Sequence, residues 1–402
     1  MNALLSNFFV ISLIKSALVA FVLLTALAYI QWVERKVLAH IQLRIGPRRV
    51  GPHGLLQPLA DVIKLLTKED MLPSHVNKFF YFLAPFIAVM FALISIAVIP
   101  FGTEVKIGSF STPMQLTDLN IGVLFVLGLS GVGVYGVALA GWASNNKYSL
   151  IGGLRSSAQM ISYELPMAMA IVAPLLMLNS LSFRELVDGQ GGFYLGFIPR
   201  WAIFQGPFPQ ILSFLIFMIA AFAETNRVPF DLPEAENELV AGFHTEYGSM
   251  KFAAFFMAEY CNMVTVSCVG ALLFLGGWQP LWPAEYGSQF VPTLVLAISG
   301  LICLYHGLHP ARPFDRITLP VFGVIFLGIA AIFLVPIVAT ILLPLFWFLA
   351  KVCIILFIYI WIRGTLPRFR YDQLMNFAWT VLFPVAIVNL FITALTVALT
   401  SK

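Results

Sequence analysis

Charge is scarce in this sequence: Asp, Glu, Lys and Arg make up only 10% of its 402 residues, where soluble domains carry roughly 25%. With 60% hydrophobic residues and a mean hydropathy of +0.92, that scarcity excludes a soluble globular domain. Cysteine is sparse too. Cys261, Cys268, Cys303 and Cys353 fall inside apolar runs without a CxxC pair or a Cys/His cluster, which argues against iron–sulfur, zinc and disulfide sites and leaves no metal expected on this chain. Neither GxGxxG nor GxxxxGK[ST] occurs, so no dinucleotide or phosphate cradle is expected. No internal repeat is visible, and strand-like alternation is missing, which argues against a barrel.

What is present is a succession of apolar runs of about 20 residues, the length that crosses a hydrocarbon core of roughly 30 Å. They predict an all-α integral membrane protein: a polytopic helical bundle forming a single transmembrane domain over residues 1–402. About ten spans are expected, near 8–31, 79–101, 119–142, 158–178, 208–225, 252–276, 290–308, 318–338, 342–362 and 375–399. The first run lacks a basic leader region and a small-residue cleavage site, so it reads as a retained helix. With the N-terminus outside, most of the 23 Lys and Arg fall in cytoplasmic loops. Only Lys106, Arg184, Arg200 and Lys402 lie outside, with Lys15 and Lys351 inside spans, a strong positive-inside bias. Trp32, Trp142 and Trp361 then fall at cytoplasmic helix ends and Trp278 and Trp282 at an outer one, as interfacial aromatics do.

Two cytoplasmic loops concentrate the polar residues. In the first, residues 34–78, GPRRVGPHG breaks regular structure and GLLQPLADVIKLLTKED resumes a helical period. Leu55, Leu56, Leu59, Val62, Ile63 and Leu66 form one stripe and Gln57, Asp61, Lys64 and Lys68 the other, an amphipathic interfacial helix. It either anchors the loop or walls a path by which a lipid-soluble ligand enters. The second loop, residues 224–251, holds Glu224, Asp231, Glu234, Glu236, Glu238 and Glu246 between two apolar runs. Lipid cannot solvate such acids, so they belong in a water-filled or protein-lined cavity. Asp231 and Glu234 fit an N-cap and N3 pair with Pro233 in the first turn, and helix dipoles hold part of the remainder. Glu236, Glu238 and Glu224, with Arg227 one turn on, remain a functional cluster.

Within the spans the informative ionisable groups are Glu164, Glu259 and Lys351. The two acids sit about 10 Å from the cytoplasmic face at 1.5 Å per residue, and Lys351 is nearer mid-span. A charge there is costly unless paired or hydrated, so each is either a static interhelical contact or a marker of a proton or ion path. The expectation is a chain of titratable groups running from the acidic loop through Glu224, Glu164 and Glu259 toward Lys351. His306 reads as interfacial, and Lys15 can snorkel outward.

Four segments, ERKVLAHIQLRIGPRRVGPHGLLQPLADVIKLL, GWASNNKYSLIGGLRSSAQMISYE, AETNRVPFDLPEAENELVAGFHTEYGSMKFAAFFMAEY and RGTLPRFRYDQLM, resemble the cytoplasmic signature segments of one family. It is the H-type subunit (subunit 1) of proton-pumping NADH:quinone oxidoreductase, respiratory complex I. The resemblance covers most of the chain up to about residue 280 and again from about 342. It implies a protein that anchors the peripheral electron-transfer arm, forms much of the quinone-access chamber and connects that chamber to the membrane arm through buried acids. By motif, Glu34, Arg35, Asp61, Arg227, Phe230, Asp231, Glu234, Glu236 and Glu238 would surround the chamber. Glu164, Glu224 and Glu259, with Lys351, would lead protons inward, and Arg363, Arg368 and Arg370 would pair with loop acids and help dock the peripheral arm.

The same resemblance implies a translocase component that binds no cofactor of its own and catalyses nothing in isolation. Quinone is the substrate, and FMN and iron–sulfur clusters are expected on partner subunits. The expected partners are other subunits of both arms, quinone and membrane lipid, with no nucleic acid. The expected location is a bacterial cytoplasmic (inner) membrane, with a mitochondrial or plastid membrane as the alternative. Two features depart from the family pattern. Arg48 adds a charge where an uncharged residue is common, and residues 290–338 read as a hairpin inserted into the usual eight-helix pattern. Two other readings stand beside this one: the membrane anchor of a related hydrogenase or ferredoxin-linked complex, and a stand-alone proton- or cation-coupled transporter.

Overall fold

The computed structural model describes residues 8–107, 110–205, 208–231, 240–310 and 314–400. Its helices are α1 (Phe8–Ile41), α2 (Gln57–Thr67), α3 (Lys78–Ser95), α4 (Gly122–Ala143), α5 (Lys147–Leu178), the short α6 (Phe183–Gly189), α7 (Ile211–Glu224), α8 (Ser249–Phe274), α9 (Val291–Leu308), α10 (Asp315–Ile332), α11 (Pro336–Thr365), α12 (Tyr371–Phe377) and α13 (Phe383–Thr400). A π turn at Ala378–Leu382 joins the last two into one apolar run. Two antiparallel strand pairs, β1 (Glu104–Ile107) with β2 (Phe110–Pro113) and β3 (Phe193–Tyr194) with β4 (Ile198–Pro199), ornament the loops. Among the described residues nine helical runs are long and apolar enough to cross a membrane. The apolar α7, 14 residues long, reaches only about 21 Å at 1.5 Å per residue and makes a short tenth. The chain is a polytopic all-α membrane protein.

Local chemistry sets the ends of these helices. The Asn146 side chain accepts the Tyr148 amide at 3.0 Å to start α5, and Asn179, left-handed at φ 50°, stops it. Pro336 opens α11, where its missing N–H costs nothing. In the interior, Gly141 and Gly153 bring α4 against α5 so closely that a Cβ on either would lie 3.0 Å from the other's Cα. Small residues at such crossings are how helices pack where no hydrophobic effect drives them together. Tyr81, Tyr163, Phe217, Phe274 and Phe348 fill the centre. α9 and α10 pair with each other through Gly300 and Gly323, leaving Leu301, Tyr305, Val321 and Val324 exposed.

Several boundaries differ from the sequence expectation. α1 runs on to Ile41, so Glu34 and Arg35 stand on a helix instead of opening the first loop. α5 begins at Lys147 instead of near 158, because Ser149, Gly152, Gly153 and Ser156 are buried against neighbouring chain. Trp278, expected at the interface, is 5% exposed and belongs to the core. Glu234, Glu236 and Glu238 lie outside the described residues.

The four polar segments gather at one end of the bundle. Asn77 donates its amide to the Ala143 carbonyl, Asn146 donates to Glu246 Oε1 at 2.7 Å, and Ser249 donates to the Leu65 carbonyl at 2.9 Å. Lys251 bonds Asp70 at 2.8 Å. At the opposite end Arg184 pairs with Glu104 at 2.7 Å, and Lys15 donates to the Thr112 hydroxyl.

Candidate functional site

Where the polar end meets the spans, four elements deliver charge to one point. Glu34 comes from α1, Arg363 from α11 and Glu259 from α8, and the tight turn after α7, with Asn226 left-handed at φ 50°, folds Arg227 back toward them. Arg227 Nη1 donates to Glu34 Oε2 at 3.3 Å, and its Nε lies 2.6 Å from Glu259 Oε1. The guanidinium sits 4.1 Å from the Tyr260 ring centroid, and the Tyr260 hydroxyl donates to Glu34 Oε2 at 3.0 Å. Arg363 Nη1 donates to Glu34 Oε1. Glu34 and Arg227 are both buried, at 4% and 6% exposure. Two acids against two arginines make a neutral quartet, the arrangement that lets buried charge survive desolvation.

Around the quartet lie the other residues expected at the chamber. Arg35 pairs with Asp61 at 2.9 Å, tying α1 to the polar stripe of α2, while Leu59, Ile63 and Leu66 of its apolar stripe face outward. Arg368 pairs with Asp231 at 3.0 Å. Phe230 is buried, stacked on Phe369 at 5.6 Å and beside Tyr163 at 5.7 Å. Gln159 holds this turn by donating to the carbonyls of Ala223 and Phe230, both at 2.8 Å. Arg370 instead pairs locally with Asp372 at 2.9 Å, largely exposed. Outside the spans, Tyr247 stacks on Tyr81 at 4.2 Å, and burial pushes its phenol above the ordinary value, keeping it neutral.

A second group of polar residues leads inward. Glu224 closes α7 and is 7% exposed. Glu164, on α5, is near enough for its charge to act on Glu224, and Ser130 of α4, whose hydroxyl donates to the Leu127 carbonyl at 3.0 Å, lines the same cavity as Glu224. Beside Ser130, Gly131 makes room for the other acid: a Cβ there would fall 2.8 Å from Glu164 Oε1. A cavity of about 50 Å³ is lined by Glu259, Asn262, Glu224, Ser130 and Asn226, and a second of about 30 Å³ continues from Ser130, Glu224 and Asn262 to Thr265 and Ser95. One water needs about 10–15 Å³ of such space. Both cavities are therefore large enough for a water molecule beside the acids.

The geometry thus joins Glu34, Arg227, Glu259 and Arg363 directly, and sets Glu224 across a cavity from Glu259, with Glu164 near Glu224. It does not bring Lys351 to this group. The Lys351 ammonium donates to the carbonyls of Leu275, Gly277 and Gln279 at 2.5, 2.8 and 2.7 Å, capping the far end of α8. Leu275 is roughly 24 Å from Glu259 along that helix at 1.5 Å per residue. Sequence reasoning missed Tyr260, Asn262, Ser130 and Thr265. Asn262 carried a signal, lying one helical turn from Glu259 on the same face. Among the described residues no group of three or more His, Cys, Asp or Glu side chains is placed to hold a metal.

Comparison with known proteins gives a consistent result. Residues 14–394 match a family model described as NADH dehydrogenase. The chain is 67% identical over 399 residues to an H-type subunit of the NADH-quinone oxidoreductase of Solibacter usitatus, covering 99% of this chain and 100% of that one. It is 51% identical to an H-type subunit of the NADH-quinone oxidoreductase of Koribacter versatilis, covering 98% of each. With the corresponding protein of Protochlamydia amoebophila it shares 47% identity over 92% of each chain.

Proposed function

The chain belongs to the NADH dehydrogenase family as an H-type membrane subunit of complex I, and from that premise we propose that it forms the quinone-access chamber and the first stretch of the proton-coupling path. Other complex I subunits are its partners. Quinone is the substrate, lipid surrounds the apolar faces, and the setting is a bacterial cytoplasmic membrane. FMN and iron–sulfur clusters reside on other subunits, so this chain supplies binding and charge response, not electron transfer. Two-electron reduction of a quinone takes up two protons, and the reduced headgroup is negative until they arrive. The arginine-bridged acids respond to that charge: added negative charge weakens the hold of Arg227 and Arg363 on Glu34 and Glu259 and raises their proton affinity. The apolar stripe of α2 walls the tail's entry from the bilayer, and Arg368 and Arg370 face the peripheral arm.

The observation that carries this reading is the continuity of the polar group. Glu259 belongs both to the buried quartet and to the cavity that reaches Glu224, so a proton released at one has a second acid within the same water-sized cavity. The test is Glu259→Gln in the assembled complex. Quinone-linked NADH oxidation and proton pumping should both fall at least tenfold, with NADH oxidation by a water-soluble artificial acceptor unchanged. Full pumping in that variant would refute the proton path.

A further inference from the structure

At the cytoplasmic end of α1, away from the acid quartet, lies a cleft of about 610 Å³ lined by Lys36, His40, Arg44, Arg48, His53 and Trp32. Its volume falls within the roughly 300–1,000 Å³ of small-ligand sites. No carboxylate lines it. Arg48 is exposed and has no hydrogen-bond or ion-pair partner among the described residues. Arg44 Nε is held by Gln42 Oε1 at 2.7 Å, and His40 Nδ1 donates to the Lys36 carbonyl at 2.7 Å, leaving its Nε2 to the cleft. The α9–α10 hairpin closes one side: His53 Nε2 lies 3.2 Å from Thr318 Oγ1 and 3.5 Å from Asp315 Oδ1 on the first turn of α10.

We propose that this cleft binds the phosphate headgroup of an anionic phospholipid from the inner leaflet. A phosphate suits Lys36, Arg44 and Arg48, whose guanidinium forks match its oxygens in pairs. The apolar surroundings favour a lipid over a protein. Leu43 and Ile45 beside the cleft are 96% and 66% exposed, and Lys36 lies 5.8 Å from the ring centroid of Trp32, at the level where tryptophans mark the membrane boundary. Below the cleft, Leu18, Phe21 and Leu24 of α1 face outward and offer the acyl chains a surface. Basic pockets on the cytoplasmic side of a bundle are where acidic lipids are recognised. The hairpin, through Thr318 and Asp315, holds His53 in the wall of this site.

The test uses the assembled complex, exchanged into nanodiscs of phosphatidylcholine with phosphatidylglycerol, and native mass spectrometry to count the lipids it keeps. Each basic group near an anionic surface is worth about 1 kcal/mol, or about fivefold. Arg48→Gln should therefore lower phosphatidylglycerol retention about fivefold and the Arg44→Gln/Arg48→Gln pair more steeply, with phosphatidylcholine unaffected. Lys78→Gln, a cytoplasmic charge outside the cleft, should change nothing, and millimolar inorganic phosphate should not displace the lipid. Undiminished phosphatidylglycerol in the double variant would overturn the proposal. So would displacement by free phosphate, which would make the site one for soluble anions, or loss of peripheral subunits at unchanged lipid content, which would make it a protein contact.

Discussion

At the scale of single residues, the outcome turns on how buried charge is neutralised. Removing one partner of a buried ion pair strands the other and costs about 3–5 kcal/mol. Arg227→Ala takes the arginine from Glu259 and leaves Glu34 to Arg363 and Tyr260, and should lower the melting temperature of the complex or prevent its assembly, whereas Arg227→Lys, which keeps the charge but not the forked geometry, should assemble and pump slowly. Thermal-shift measurement on both variants, beside their pumping rates, checks this; equal stability of Arg227→Ala and the parent would contradict it. Glu34, Arg227 and Glu259 could be picked out of the sequence because charge beside an apolar run is conspicuous. Their partners were harder to see. Arg363 was expected to pair with a loop acid and help dock the peripheral arm, and the acid it meets, Glu34, lies 329 positions away in the chain. Lys351 was conspicuous for the same reason as the acids, yet it bonds three backbone carbonyls, and carbonyls have no residue type to betray them.

At the scale of elements, the inward path depends on where α4, α5 and α7 touch. Gly131 of α4 leaves the space that the Glu164 carboxylate occupies. Replacing a helical glycine with alanine ordinarily favours the helix by about 0.5–1 kcal/mol, so Gly131→Ala should leave α4 intact and the complex assembled. Its Cβ would nevertheless push the flexible end of Glu164 aside, and pumping should drop severalfold with quinone reduction less affected. Unchanged pumping would mean that Glu164 stands off the path. Helix positions could be read closely from the apolar runs, and α2 from its two stripes. The polar start of α5 could not, since Ser149, Gly152 and Ser156 look like loop residues until Gly141 and Gly242 are seen packed against them. The cavity itself has no sequence signature, because it is space left between helices remote in the chain.

At the scale of the whole molecule, most of the charge lies at one end and the flanks are apolar, which suits a protein covered by soluble partners on that end and by lipid around its sides. Purified alone in sealed liposomes, the chain should move no protons under a pH gradient; steady flux would favour the stand-alone transporter. On the proposed function, acids buried in this chain change protonation when quinone is reduced beside it. Infrared difference spectroscopy of the assembled complex, oxidised against reduced quinone, measures this most directly. A carboxylic-acid C=O band that shifts in D₂O and vanishes in Glu224→Gln is the predicted result. A difference spectrum without such a band, or one that the substitution leaves untouched, would contradict it.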